Sequence, residues 1–173
     1  MHKASIFIAL FWIIGTVLKH IMSWDANDMQ FSEILATPNM EAIFGRDDYG
    51  RPIIFRLFEG FKNSIEIILV VSLISCTTGV VIGTLSGYIG GKFDAIVSFI
   101  INLFMSFPGI LLAIAFAAML NPGKLNLILA LSIGGWVSYA RLSRGQALMV
   151  RNFEYVKASR AMGASHWWIV GRH

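Results

Sequence analysis

The sequence predicts an all-α fold, a polytopic transmembrane helical bundle with about four spans. Hydrophobic residues make up 56% of the 173-residue chain and charged residues 14%, a balance far more apolar than that of a soluble domain of this length. The apolar residues gather in long runs rather than in the alternating or helical stripes that line a soluble core. Short charged or Gly/Pro-containing segments separate the runs, as turns separate spanning helices, and no stretch reads as disordered.

The first run, residues 4–18, follows His2 and Lys3 and resembles a secretory signal, yet no small-x-small cleavage pattern follows it. Lys19 and His20 are succeeded by Ile21, Met22 and Trp24, so residues 1–24 read as a retained transmembrane anchor whose Lys reaches the interface. Residues 25–63 change character. Acids at Asp25, Asp28, Glu33, Glu41, Asp47, Asp48 and Glu59, with turn formers at Pro38, Gly45, Gly50 and Pro52, predict an extracytoplasmic loop.

The rest, residues 64–173, is predicted as the main transmembrane core, with spans at about 64–88, 95–120 and 125–140. Gly79, Gly83 and Gly87 recur every fourth residue and so share one helix face, which predicts a close helix-packing seam; lining of a solute path is the weaker alternative. Gly90-Gly91-Lys92-Phe93-Asp94 reads as a tight turn. Ser106-Phe107-Pro108-Gly109 interrupts the next run, and Pro108 is expected to kink it, either for gating or simply for packing. Asn121-Pro122-Gly123-Lys124 forms the following turn. Glu66 reads as an interfacial, solvated carboxylate ahead of a buried proton relay. Glu66, Asn102, Ser106 and Pro108 are the candidate pathway residues.

The net charge of +4 raises nucleic-acid binding, which the placement of the basic residues excludes. Arg141, Arg144, Arg151, Lys157, Arg160 and Arg172 follow the last run with Glu154 the only acid among them, the pattern of a cytoplasmic flank. Every other turn then fits a cytoplasmic N-terminus. Cys76 lies inside an apolar run, and His2, His20, His166 and His173 are scattered; no spacing suggests a disulfide or a metal site.

In the segment 141–173, Phe153, Val156, Ala161 and Met162 supply apolar side chains at helical separations while Arg151, Lys157 and Arg160 supply charge. Such a helix either meets a soluble partner or lies along the membrane. Within it Glu154-Tyr155-Val156-Lys157-Ala158-Ser159-Arg160-Ala161-Met162-Gly163-Ala164-Ser165 resembles the EAA loop of ABC importer permeases. The family pattern is Glu-Ala-Ala, three residues, then Gly; Ala158 and Gly163 match it, whereas Lys157 and Ser159 depart. Phe44-Gly45-Arg46-Asp47-Asp48-Tyr49-Gly50-Arg51, Gly87-Tyr88-Ile89-Gly90-Gly91 with Asp94, Ser106-Phe107-Pro108, Tyr139-Ala140-Arg141-Leu142 and Arg144-Gly145-Gln146 fall in the order of the dipeptide/oligopeptide/nickel branch.

This resemblance implies a permease subunit of a binding-protein-dependent ABC importer in the cell inner membrane. It implies as partners a second homologous permease, two ATPase subunits and an extracytoplasmic solute-binding protein. The coupling residues it implies are Glu154, Lys157, Ala158, Ser159, Gly163, Ala164 and Ser165, with Gly163 permitting close packing. ATP would be used by the partner subunits and no cofactor bound by this chain, which has no Gly-x4-Gly-Lys-Ser/Thr phosphate loop; Gly90-Gly91-Lys92 is followed by Phe93 and has Ser86 at the first Gly position. No nucleophile elbow, zincin helix or carboxylate pair suggests an enzyme. Members of this branch normally carry six spans, so the sequence is expected to be a fragment or truncated reading frame. A non-transporting subunit that only docks the ATPase or assembles with a partner permease is the alternative.

Overall fold

A computed structural model describes residues 11–15, 17, 25 and 27–172. The chain divides into two compact units, Met1–Glu66 and Ile67–His173, and the fold is helical in both, with a single antiparallel bridge between Arg46 and Pro52 among the described residues.

In the first unit, residues 11–15 and 17 of the predicted N-terminal anchor are helical; the remainder of that prediction lies outside the described residues. Trp12 stacks on Phe61 at 4.2 Å and meets Phe58 edge-on at 5.6 Å. The loop that follows holds a 3-10 turn, Phe31–Glu33, and then reverses through Gly45 and Gly50, both at positive φ. Helix α1, Ile53–Ile89, starts after Pro52, whose carbonyl accepts the Arg56 N–H at 3.4 Å. The predicted loop therefore ends earlier than its polar residues suggest. Residues 53–63, with Arg56, Glu59 and Lys62, are the first turns of a 37-residue helix.

α1 stops where Gly90 takes φ +74° and ψ −159°, a backbone region closed to side-chain-bearing residues. Helix α2, Gly91–Met105, and helix α3, Gly109–Met119, occupy the run predicted as one kinked span over 95–120. They are instead two helices meeting at 88°. Pro108 has no N–H to continue the ladder and biases Phe107 away from helical geometry. The freed groups are met locally: the Ser106 N–H donates to Asn102 O at 3.0 Å and its hydroxyl to Leu103 O at 2.6 Å.

Helix α4, Lys124–Val150, does not end at residue 140 as the run of apolar residues predicts. It continues through Arg141 and Arg144, which therefore sit on a rigid helix rather than in a tail. Two short helices follow, α5 (Glu154–Ala161) and α6 (His166–Arg172). Among the described residues two helices, α1 and α4, are long and apolar enough to cross a membrane, and the bent α2–α3 pair adds a third span if counted as one. The core of the second unit gathers Val97 and Ile101 of α2 with Val137 and Ala140 of α4, packed by Ile82, Phe104 and Trp136. Outside it α1 presents Leu69 and Leu73 at 64% and 69% exposure. Runs of large exposed side chains of that kind call for a hydrocarbon solvent or further helices.

Candidate functional site

The predicted glycine seam is a helix contact. A Cβ at Gly79 would run into the carbonyl of Trp136, one at Gly83 into the carbonyl of Ala140 and the hydroxyl of Ser143, and one at Gly87 would lie 2.5 Å from Arg144 O. Each glycine thus faces the next turn of α4, so the backbones of α1 and α4 touch along two full turns. The Ser143 hydroxyl donates to Tyr139 O at 2.8 Å and stands 3.3 Å from Gly79 O across the contact.

Below the seam three helices are tied by charge. Arg144 of α4 grips Asp94 of α2 with two parallel bonds, Nε to Oδ1 at 2.5 Å and Nη2 to Oδ2 at 2.8 Å. The Ser86 hydroxyl of α1, fully buried, donates to the same Asp94 Oδ1 at 2.7 Å. Arg151, at the end of α4, donates from Nη1 to Gly87 O at 3.0 Å, placing a cation at the negative end of α1 while Asp94 places an anion at the positive end of α2. A planar fork on a carboxylate, only partly exposed on both sides, is worth more than a surface ion pair. Sequence reading took Arg144 and Arg151 as flank charges and Asp94 as a turn residue. The available signal was that Asp94 and Arg144 each occur in a separate motif, with opposite sign.

Three residues separate α4 from α5, where the predicted coupling segment begins. The N–H groups of Asn152 and Phe153 return to Met149 O and Val150 O, making a tight turn into α5. Glu154 lies in the first turn of α5 and Arg160 in the last, as the helix dipole favours. The turn between α5 and α6 has a specific closure. Gly163 N–H bonds to Arg160 O at 3.0 Å and Ala164 N–H to Ser159 O at 3.1 Å, with Gly163 at φ +87°; this is a Schellman cap. Ser165 then caps α6, its hydroxyl accepting the Trp168 N–H at 3.2 Å. A Cβ at Gly163 would meet nothing within 4 Å. The glycine is required by the backbone, and not, as the sequence suggests, by packing within the chain.

Only one side of this helical pair is buried. Val156 and Ile169 are each 2% exposed and line a cavity of about 390 Å³ with Val80 and Tyr88 of α1 and Leu142 and Gln146 of α4. Glu154, Lys157, Ala158, Gly163 and Ser165 are exposed, Ser159 and Ala164 half-buried. Tyr155, Met162 and Trp168 also face outward, Met162 at 81%. The seven predicted coupling residues thus form one continuous turn whose outer surface is open.

Asn102, Ser106 and Pro108 are exposed and lie at the α2–α3 break, while Glu66 is an exposed residue of α1 at the end of the first unit. In that unit, Phe44 to Arg51 owes its pattern to folding. Asp47 Oδ1 accepts the Tyr49 and Arg51 N–H groups, each at 2.9 Å, and Oδ2 accepts Arg51 Nε at 2.9 Å and Arg56 Nη1 at 2.5 Å. Burial pushes the Asp47 carboxyl up, but the combined hydrogen bonds from Arg51 and Tyr49 and the Arg51 charge hold it well below the ordinary carboxylate range. Buried Arg46 pairs with Glu33 and donates to Gly50 O at 3.0 Å.

Residues 79–173 match the profile of the family described as binding-protein-dependent transport system inner membrane component. The chain is 35% identical, over 98% of its length and 57% of the relative's, to a probable D,D-dipeptide transport system permease protein of Escherichia coli (strain K12). It is 33% identical, over 98% of its length and 53% of the relative's, to a dipeptide transport system permease protein of Bacillus subtilis (strain 168). Identity is 32%, over 94% and 59%, to a nickel transport system permease protein of Escherichia coli (strain K12). The chain spans about half the length of the curated relatives it matches.

Proposed function

Since the chain belongs to the family of binding-protein-dependent transport system inner membrane components, we propose that it is a multi-pass permease subunit of an ATP-driven importer for peptides or related small solutes, and that α5–α6 is its coupling element. The observation that carries this reading is the capped helix–turn–helix itself. It is seated on α1 and α4 through Val156 and Ile169, and it turns Tyr155, Met162 and Trp168 outward. An exposed aromatic and Met surface on a rigid support is the composition of a protein-binding patch.

In this reading an ATPase subunit docks on the outer surface of α5–α6 from the cytoplasm, with Glu154 and Lys157 at the rim. Closure of the ATPase pair on ATP displaces the element, and α4 carries the displacement into the spans, so the solute path alternates between the two sides. The energy comes from differential binding of ATP to the two states in the partner; this chain relays it, binds no nucleotide and catalyses no reaction. A second permease supplies the facing wall of the path, an extracytoplasmic solute-binding protein delivers the solute, and the N-terminus is cytoplasmic. Asn102, Ser106 and Pro108 at the α2–α3 break, with Glu66, are the candidate positions along such a path.

Co-purification with the ATPase subunits tests this. Met162→Glu and Trp168→Glu alter only outward-facing side chains, so both variants should insert normally and lose ATPase capture by at least about tenfold, the loss of a hot-spot contact. Capture at the wild-type level by both variants would remove the outer surface of α5–α6 from the interface.

A further inference from the structure

The charged cluster of Ser86, Asp94, Arg144 and Arg151 lies one short turn from the coupling element, and its geometry is unlike that of a membrane-flank charge set. Its four side chains come from three helices that are separate in sequence. The pair is bidentate, Ser86 fills a further lone pair of Asp94, and Arg151 bonds a terminal carbonyl of α1. Immediately above it α1 and α4 touch backbone to backbone at Gly83 and Gly87, which leaves no slack for sliding. Immediately beyond Arg151, two residues lead into α5.

We propose that Asp94 and Arg144 are positioning residues that, with Ser86 and Arg151, clasp the end of α1, the start of α2 and the end of α4 into one body that moves with the coupling element. Without the clasp, a push on α5 reaches α4 and, through the apolar seat and the glycine seam, α1, but no polar bond carries it on to α2. With it, the same push reaches α1 directly through Arg151 and the Gly87 carbonyl, and α2 through the fork on Asp94. Because α2 leads to the 88° break at Pro108, displacement at the cytoplasmic end is also delivered to the one bend among the described helices of this unit. The pair is therefore closed in every state of the transport cycle, and rearrangement falls elsewhere. The inference rests on the transport reading above, and its test separates the two.

The wild-type chain, assembled with its permease and ATPase partners in proteoliposomes, is compared with Asp94→Asn, Arg144→Gln and the exchanged double variant Asp94→Arg/Arg144→Asp. The readouts are uptake of a tritiated dipeptide or of radioactive nickel, and ATP hydrolysed in the same vesicles. The single variants should assemble and hydrolyse ATP while uptake per ATP falls roughly tenfold, the size of a typical coupling between sites, and the exchange should recover most of it. A pair that only stabilised the fold would lower assembly, hydrolysis and uptake together and leave their ratio unchanged, which overturns the proposal.

Spin labels at Ile96→Cys on α2 and Leu142→Cys on α4, both exposed, in a Cys76→Ser background give a second measurement. The interspin distance should stay constant through the nucleotide cycle and broaden in Asp94→Asn; a change with nucleotide in the wild type overturns the clasp even if the charge variants fail to assemble. No uptake by the wild-type complex, together with a constant distance, refutes the transport reading and leaves the clasp standing.

Discussion

Gly163 holds a left-handed backbone with open space around its α-carbon, so a side chain there meets a conformational penalty and no steric one. Gly163→Ala should destabilise the α5–α6 turn by about 1–2 kcal/mol. The effect should read as faster hydrogen exchange at the Ala164 amide, with the exchange of α4 unchanged. Asp47 makes a prediction of the electrostatic kind. Its carboxyl titrates below its unfolded value, so its contribution is fully present above the unfolded pKa of about 3.9 and is lost as pH falls below that. Unfolding of the loop, followed by Trp fluorescence, should be flat from neutral pH down to about 4 and then rise, and Asp47→Asn should remove that dependence. Both residues were singled out by resemblance to a motif. What the sequence could not reveal is that one serves as a backbone joint and the other as an anion holding four donors, since both roles depend on the groups that the turn brings around them.

Among the elements, the contact between α1 and α4 makes the sharpest prediction. Gly83→Leu would drive a side chain into the Ala140 carbonyl and Ser143, and should lower the thermal midpoint of the detergent-solubilised protein, with overpacking costing about 1–3 kcal/mol or more. Gly60→Ala on the same helix is the control: a Cβ there meets nothing, so the change should stabilise by about 0.5–1 kcal/mol. The seam was legible because small residues at every fourth position leave a periodic trace. Helix ends were not. Residues 53–63 are polar enough to read as loop, yet Arg56 is held by Asp47 and the helix is already under way. α4 outlasts its apolar run because Arg144 is neutralised by Asp94, a partner 50 positions away that no local pattern reveals. Pro108 announced an interruption, but a kink and an 88° turn have the same local sequence; the difference lies in whether Ser106 and Phe107 close off α2, as they do here.

For the molecule taken whole, the membrane class was legible from composition and run length alone, because a bilayer imposes its demands on every residue of a span. The resemblance singled out residues 154–165 as a proposed coupling turn, while the grouping of charges behind it required coordinates. The 37 residues of α1 extend about 55 Å at 1.5 Å per residue, against a hydrocarbon layer of about 30 Å. Roughly a third or more of the helix must therefore stand in water or headgroups, and the helix works as a depth gauge. Cysteines placed singly along its exposed face, in a Cys76→Ser background, should divide into a stretch of about 20 positions closed to a charged thiol reagent and flanks that react readily. The boundary should fall on the C-terminal side of Lys62. Reactivity extending unbroken to Gly79 would place that part of α1 along a water-filled conduit rather than in lipid.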